Sequence, residues 1–180
     1  HEMIIKQQNI LAFQYIKQGD FEDTERHLRV IVDLIQGFGY PGDLQTSVKF
    51  VIINLNRLVG YYLKNRDIPK SREYTDEAAT LFKRYIENED TIVELSYVVN
   101  NYLSLAGLIG RFGNGQEEFQ EASDLIIMAA EIYEQYYRRT RDDIGLINSI
   151  FRTVNYLIGA HEDAWPDVLF DLGKRLADKY

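Results

Sequence analysis

Apolar residues recur along most of the chain at spacings of three, four and seven positions, the periodicity of one face of an α-helix. The pattern breaks near each of the three prolines, Pro41, Pro69 and Pro166, and at polar turns between them. It predicts eight helices, over residues 3–18, 21–36, 44–65, 71–88, 91–111, 116–139, 143–161 and 166–179. Because the connections are short, consecutive helices should run antiparallel as a series of helical hairpins.

Polar residues at the predicted turns support several of these boundaries. Three turns place a capping side chain three residues before an acidic one: Asp20 with Asp23, Asn114 with Glu117, and Thr140 with Asp143. The run RVIVDLIQ, residues 29–36, is the best candidate for a strand. The residues before it continue into it with helical spacing, so we predict a helix there as well.

Small residues recur late in the first helix of successive hairpins. Ala12, Gly60, Gly107 and Gly159 are 48, 47 and 52 residues apart, and each is followed by a polar turn, as in LVGYYLKNRD and LAGLIGRFGN. A glycine inside a helix costs about 1 kcal/mol relative to alanine. Its recurrence at one phase therefore predicts that a neighbouring helix packs closely against each of these positions.

This pattern resembles the tetratricopeptide-repeat (TPR) family, whose hairpins carry Leu and Gly or Ala in the first helix and Ala in the second. Leu58, Val59 and Tyr62 match the family's Leu, Gly and Tyr positions, and Leu105 and Ala106 match the first two again. The period of 47–52 residues departs from the family's 34, and the family's early Trp is absent.

The resemblance covers nearly the whole chain and implies an all-α fold. It implies a right-handed array of about four antiparallel helical hairpins, a TPR-like α-solenoid of eight helices, as a single domain over residues 1–180. Residues 166–180 would form a capping helix, with Val168, Leu169, Leu172 and Leu176 packed on the preceding hairpin. A non-repeating helical bundle is the alternative fold, and a docking helix or homodimer contact is the alternative role for the last helix.

Composition narrows the class of partner more than the fold. The net charge of −8 disfavours nucleic acid and anionic membranes as partners, because neutralising phosphates requires clustered Lys and Arg. The absence of cysteine excludes disulfides and Cys-ligated zinc. No run of about 18 uncharged apolar residues predicts a membrane span, and no signal peptide is evident, so we expect a cytoplasmic protein.

No sequence motif predicts catalysis, a metal or a cofactor. GFGYPG at 37–42 fits the spacing of a dinucleotide-binding loop, but the residues before it predict a helix instead of a strand, which favours a simple turn. GRFGNG at 110–115 lacks the lysine of a phosphate-binding loop. None of the three histidines belongs to a metal-binding or catalytic sequence pattern; they are His1, His27 and His161.

Polar residues recur on the otherwise apolar first helices. Aligned on the small residues, one column contains Lys6, Asn54, Asn101 and Thr153, and the next contains Asn9, Arg57, Ser104 and Tyr156. The columns are one helical turn apart and share a face. In the TPR family the first helices line a concave surface that holds a peptide or short helix.

The resemblance therefore implies a peptide-binding groove, with candidate residues Lys6, Asn54, Arg57, Asn101, Ser104 and Tyr156. Asn can donate and accept hydrogen bonds with a peptide backbone, Arg can bind a carboxylate, and Tyr supplies contact area. Structural roles for the asparagines and an internal ion pair for Arg57 are the alternatives.

We expect a non-enzymatic scaffold that binds a protein or peptide segment. The alternative is the peptide-sensing domain of a transcription regulator, similar to the peptide-pheromone receptors of Gram-positive bacteria, which would need a DNA-binding module outside this sequence. A helical-bundle enzyme would need clustered carboxylates or histidines, and the sequence predicts no such cluster.

Overall fold

The computed structural model describes residues 2–38, 45–85, 92–113, 115–140, 144–160 and 167–179. The helices are α1 Glu2–Gln18, α2 Phe21–Phe38, α3 Gln45–Lys64, α4 Ile68–Tyr85, α5 Ile92–Phe112, α6 Gln116–Thr140, α7 Ile144–Ala160 and α8 Asp167–Lys179. The described residues contain no strand, and residues 29–36 lie within α2. The predicted all-α class is therefore confirmed.

The observed helix boundaries follow the predicted ones closely. Among the helix ends whose flanking residues are also described, the largest difference is at the start of α4. The apolar pattern predicts this helix from residue 71, but it begins at Ile68. The cause is Asp67, whose Oδ1 accepts a hydrogen bond from the backbone amide of Lys70 at 3.1 Å. Pro69 falls in the first turn, where its missing N–H removes no helical hydrogen bond.

Two hairpin turns have the same backbone structure, 47 residues apart. Gly19 and Arg66 adopt left-handed conformations, with φ of 77° and 59°. In each turn the amide of the following aspartate donates to the carbonyl five residues earlier, at 3.0 Å for Asp20 and 2.9 Å for Asp67. Each aspartate then caps the next helix, and the amide of Asp23 donates to Oδ1 of Asp20 at 3.1 Å. The first predicted cap is thus observed.

This repeat of the turns corrects the predicted register. Ala12, Val59 and Ala106 are 47 residues apart and completely buried. A Cβ atom would meet no other atom within 4 Å at the predicted packing positions Gly60, Gly107 and Gly159. The prediction that these glycines permit close helix packing is wrong. The structurally equivalent buried position comes one residue earlier in the second and third hairpins, where the side chains are Val and Ala.

Close approach occurs instead at Gly113, directly after α5 and another 47 residues beyond Arg66. A Cβ atom there would lie 2.6 Å from Cβ of Glu118 and 2.8 Å from the carbonyl oxygen of Ile109. The amide of Gly113 donates to that same carbonyl at 2.7 Å. Because one of these neighbours is backbone, no side-chain rotation would relieve the contact.

The helices pack in chain order. The odd-numbered helices lie side by side, α1 on α3, α3 on α5 and α5 on α7, and we call them the odd layer. Each of α2, α4 and α6 packs against the odd-numbered helices before and after it, while α8 packs on α6 and α7. The contacts bury a continuous core, including Leu28, Leu58, Tyr74, Phe82, Tyr102, Leu125 and Tyr133.

The last helix buries the predicted residues Leu169, Leu172 and Leu176. The side chain of Val168, the residues Asn114, Asp143, His1 and His161, and residues 39–42 of the turn predicted at 37–42 lie outside the described part of the chain. Thr140, predicted as a cap, is the last residue of α6. None of the described helices is long and apolar enough to cross a membrane.

Candidate functional site

A groove of about 520 Å³ lies between α1 and α3, and we call it the α1/α3 groove. Its lining comes from one face of each helix: Lys6, Asn9, Ile10 and Phe13 of α1, and Thr46, Ser47, Phe50, Ile53, Asn54 and Arg57 of α3. The spacings of three, four and seven residues place these side chains along one stripe of each helix.

The walls of the α1/α3 groove are apolar and exposed. Ile10 is 57% exposed and Phe50 is 55% exposed. They belong to a wider pattern, because most of the exposed large apolar side chains in the described residues lie on the odd layer, and only Val30 and Phe170 lie elsewhere. Exposed apolar area concentrated on one layer is a property of binding surfaces more than of solvated ones.

A guanidinium and an ammonium lie at the Phe13 end of the groove. Nη1 of Arg57 donates to Oδ1 of Asn54 at 3.3 Å, and its guanidinium carbon lies 4.7 Å from the centroid of the Phe13 ring. The ammonium of Lys17 lies 4.5 Å from the same centroid. Neither cation has a carboxylate partner within the described residues. The described part of the chain therefore contains no carboxylate that forms the internal ion pair considered as an alternative role for Arg57.

Buried amides form the floor of the α1/α3 groove. Nδ2 of Asn9 donates to the backbone carbonyl of Ser47 at 3.3 Å, which links α1 to α3. Oδ1 of Asn9 is buried and accepts no hydrogen bond from the described residues. An unsatisfied buried acceptor costs about 1–3 kcal/mol.

The structure brings three of the six predicted site residues together. Lys6, Asn54 and Arg57 all line the α1/α3 groove, and Lys6 also pairs with Glu2 at 2.5 Å. Asn54 is nearly buried.

The other three candidates lie outside the α1/α3 groove. Asn101 is buried in α5 with an Nδ2 that has no hydrogen-bond partner among the described residues. Ser104 is exposed on α5, and Tyr156 is exposed on α7. Their role in binding stays a prediction. Thr153, in the same predicted column as Asn101, donates to the Ser149 carbonyl of its own helix at 3.0 Å.

The apolar groove residues Ile10, Phe13, Phe50 and Ile53 were not among the predicted site residues. In a sequence such residues are indistinguishable from the buried stripe of the same helix. One signal could have separated them from buried residues: an apolar residue at a position where the equivalent residues of the other hairpins are polar. In the 47-residue register Ile10 falls in the column of Arg57 and Ser104, which are polar and exposed.

A second polar cluster joins the first hairpin to the second on the opposite side of α3. Oε2 of Glu25 accepts hydrogen bonds from the Tyr62 hydroxyl at 2.7 Å and from Nζ of Lys70 at 2.8 Å. Burial raises the pKa of Glu25, but hydrogen bonds from Lys70, Tyr74 and Tyr62 outweigh burial and bring this pKa to about 2. The cluster is internally neutralised, which indicates a structural role.

The described residues contain no group of three or more His, Cys, Asp or Glu side chains that could hold a metal ion. His27 packs instead as a structural side chain. Its ring stacks on Tyr15 with centroids 5.2 Å apart, and its Nδ1 contacts the side-chain oxygen of Gln8.

Comparison with known proteins shows a likeness of fold. No protein-family model matches the sequence, and no curated protein matches it significantly. A solved structure named "DHF58 filament" is similar over 98% of this chain and 90% of its own, with a TM-score of 0.57 and 14% sequence identity. At this identity the match supports the helical architecture and carries no function.

Proposed function

We propose that this protein is a non-enzymatic scaffold that binds a peptide or protein segment in the α1/α3 groove. The observation that carries the proposal is the combination, in one groove, of exposed apolar walls with buried amides and a guanidinium that has no carboxylate partner in the described residues. Ligand grooves typically combine an apolar lining with a few convergent polar groups. The binding residues we assign are Lys6, Asn54 and Arg57, with Ile10 and Phe50 as the apolar contacts.

The proposal includes the architecture that the sequence resemblance implies. The hairpins would form a right-handed TPR-like array, with the odd layer as its concave side. The 47-residue repeat of the turns at Gly19 and Arg66 supports this arrangement, and so does the packing of each odd-numbered helix on the next. Each hairpin then buries its apolar face against the following one.

Several groups with strongly shifted pKa values already interact with one another, which favours a binding role over catalysis. The pKa of Lys70 is raised by its hydrogen bonds to Glu25 and Tyr62, and the pKa of Tyr62 is raised by burial and by Glu25. A catalytic acid or base must instead remain available to a substrate. This cluster is therefore better explained as a connection between hairpins.

Selection from a phage-displayed library of random ten-residue peptides tests the proposal. The full chain is immobilised, and affinities of synthetic versions of the selected peptides are measured by fluorescence anisotropy. We expect Phe50→Asp to weaken binding at least tenfold, because it puts a charge into the apolar wall. Val30→Asp, an exposed apolar residue of α2, is the matched control and should bind as the wild type does.

Circular dichroism and urea denaturation establish that both variants are folded. Failure to select any peptide, or equal affinity of the folded Phe50→Asp variant and the wild type, would refute the assignment of the groove.

A further inference from the structure

We propose that the segment bound in the α1/α3 groove carries an acidic residue close to a large apolar side chain. This inference rests on the proposed function and adds the chemistry of the partner to it. The apolar side chain enters between Ile10 and Phe50, and the carboxylate binds Arg57 at the Phe13 end of the groove.

The length of the groove sets the distance between these two groups. On α3 the lining extends from Thr46 to Arg57, and within it Phe50 and Arg57 are seven residues and therefore about 10 Å apart along the helix axis. A bound segment would cover this length with two turns of helix or about three extended residues. The apolar and acidic residues of the partner must then lie within about three or four positions when the segment is extended, and within about seven when it is helical.

The charge of the groove determines which charge the bound segment should carry. The chain has a net charge of −8, yet the charged residues that line the groove, Lys6 and Arg57, are both cations. Lys6 is already paired with Glu2. Arg57 has no carboxylate partner in the described residues, and Lys17 adds a second cation against the same Phe13 ring. The charged side chains that line the groove are thus opposite in sign to the net charge of the chain, and they favour an acidic segment.

Binding makes this preference stronger. A bound segment that extends along the groove from Phe50 to Arg57 removes water from the guanidinium of Arg57. Taking a cation out of water without an anionic partner is unfavourable, and bringing in a second cation is worse. A carboxylate on the ligand instead compensates the charge of the desolvated guanidinium, and the planar guanidinium can donate two hydrogen bonds to it.

The neighbouring amide prepares Arg57 for this role. Oδ1 of Asn54 accepts a hydrogen bond from Nη1 and leaves the other guanidinium N–H groups available for a ligand. Asn54 itself is nearly buried, so its position is determined by packing and its hydrogen bond limits the orientations of the guanidinium. Besides lining the groove, Asn54 therefore positions Arg57, and Arg57 makes the contact with the carboxylate of the ligand.

The test uses the ten-residue peptides selected by the wild-type chain. We expect Asp or Glu within about seven positions of an aromatic or aliphatic residue, and few Lys or Arg residues. For one selected peptide, replacing its acidic residue with the matching amide should weaken binding about tenfold. Replacing it with Lys should weaken binding further.

The Arg57→Gln variant should bind the acidic peptide about tenfold more weakly and the amide peptide less than twofold more weakly, so that the two changes are coupled. Arg26→Gln is the control, because Arg26 lies on α2 and pairs with Asp23 at 2.6 Å. Raising NaCl from 50 to 500 mM should weaken the wild-type complex with the acidic peptide and leave the Arg57→Gln complex nearly unchanged.

Two outcomes would overturn the inference while separating it from the proposed function. Peptides that need Phe50 but show no acidic preference and no coupling to Arg57 would refute the partner's chemistry and leave the groove assigned. Self-association of the wild type that Phe50→Asp abolishes, measured by analytical ultracentrifugation, would make a second copy of the chain the occupant. Failure to select any peptide would refute both proposals together.

Discussion

Glu77 of α4 makes the stability of the protein depend on pH near neutrality. Burial raises the pKa of its carboxyl group; the nearby Arg29 lowers it, while Glu73 and Asp33 raise it. The net result is a pKa of about 7 in place of 4.5. The charged groups around Glu77 come from both α2 and α4, so its titration reports on the packing of the first two hairpins.

The sign of the effect follows from proton binding. With a pKa of about 7 folded and about 4.5 unfolded, Glu77 binds its proton more tightly in the folded chain. Its contribution is fully present below pH 4.5, and it is lost as pH rises through 7. The difference between these pKa values corresponds to about 3 kcal/mol in the free energy of unfolding. Glu77→Gln keeps the shape of the side chain and removes the charge.

Urea denaturation at pH 5, 6, 7 and 8, followed by circular dichroism, measures this contribution. We expect Glu77→Gln to be more stable than the wild type by about 1 kcal/mol or less at pH 5 and by up to about 3 kcal/mol at pH 8. Glu131→Gln, which removes an exposed carboxylate of α6, is the matched control for the loss of one negative charge. A difference between Glu77→Gln and the wild type that is the same at pH 5 and pH 8 would refute the reasoning.

Three further predictions use the same denaturation assay. Glu25→Gln should lower the free energy of unfolding by about 2–3 kcal/mol at pH 7. Because its folded pKa is about 2, this loss should shrink as pH falls below 4.5, and no loss at pH 7 would contradict the observed hydrogen bonds. Gly60→Ala should stabilise the protein by about 0.5–1 kcal/mol. Gly113→Ala should destabilise it by about 1–3 kcal/mol, because its Cβ would clash with a backbone carbonyl. Destabilisation by Gly60→Ala together with stabilisation by Gly113→Ala would instead support the close helix packing at Gly60 that the sequence predicted. Arg66→Gly should stabilise by about 0.5–1 kcal/mol through relief of its positive φ, and a loss would mean that the arginine side chain matters more than the backbone.

The helices and their hairpin order were predicted because they depend on local signals. A helical face needs only the spacing of apolar residues, and the cap at Asp20 needs only a side chain close to a free amide. The start of α4 was missed because the cap at Asp67 precedes a short segment with little apolar pattern. Reading Arg66-Asp67 as the equivalent of Gly19-Asp20 would have predicted it, since the two pairs are 47 residues apart.

The alignment of equivalent positions in successive hairpins was predicted less well than the helices, because the prediction relied on the recurring small residues. A glycine in a helix indicates close packing only if a neighbour is present, and Gly60 has none within 4 Å. Val59, one position earlier, occupies the buried column and carries a larger side chain. The size of a residue alone cannot distinguish these positions, because helix packing tolerates different residue sizes in equivalent hairpins.

For the candidate groove, the sequence alone specified which residue types are available: Lys6, Asn54 and Arg57 interrupt apolar helices at helical spacing. The packing of the helices then established that these three meet in one groove and that Asn101 and Tyr156 lie elsewhere. The difference arises because spacing along one helix specifies a shared face, whereas the neighbour of that face depends on how separate helices pack. The same packing leaves Phe50 exposed beside Ile10 and Arg57 without a carboxylate partner in the described residues, and these are the features on which the proposed binding site rests.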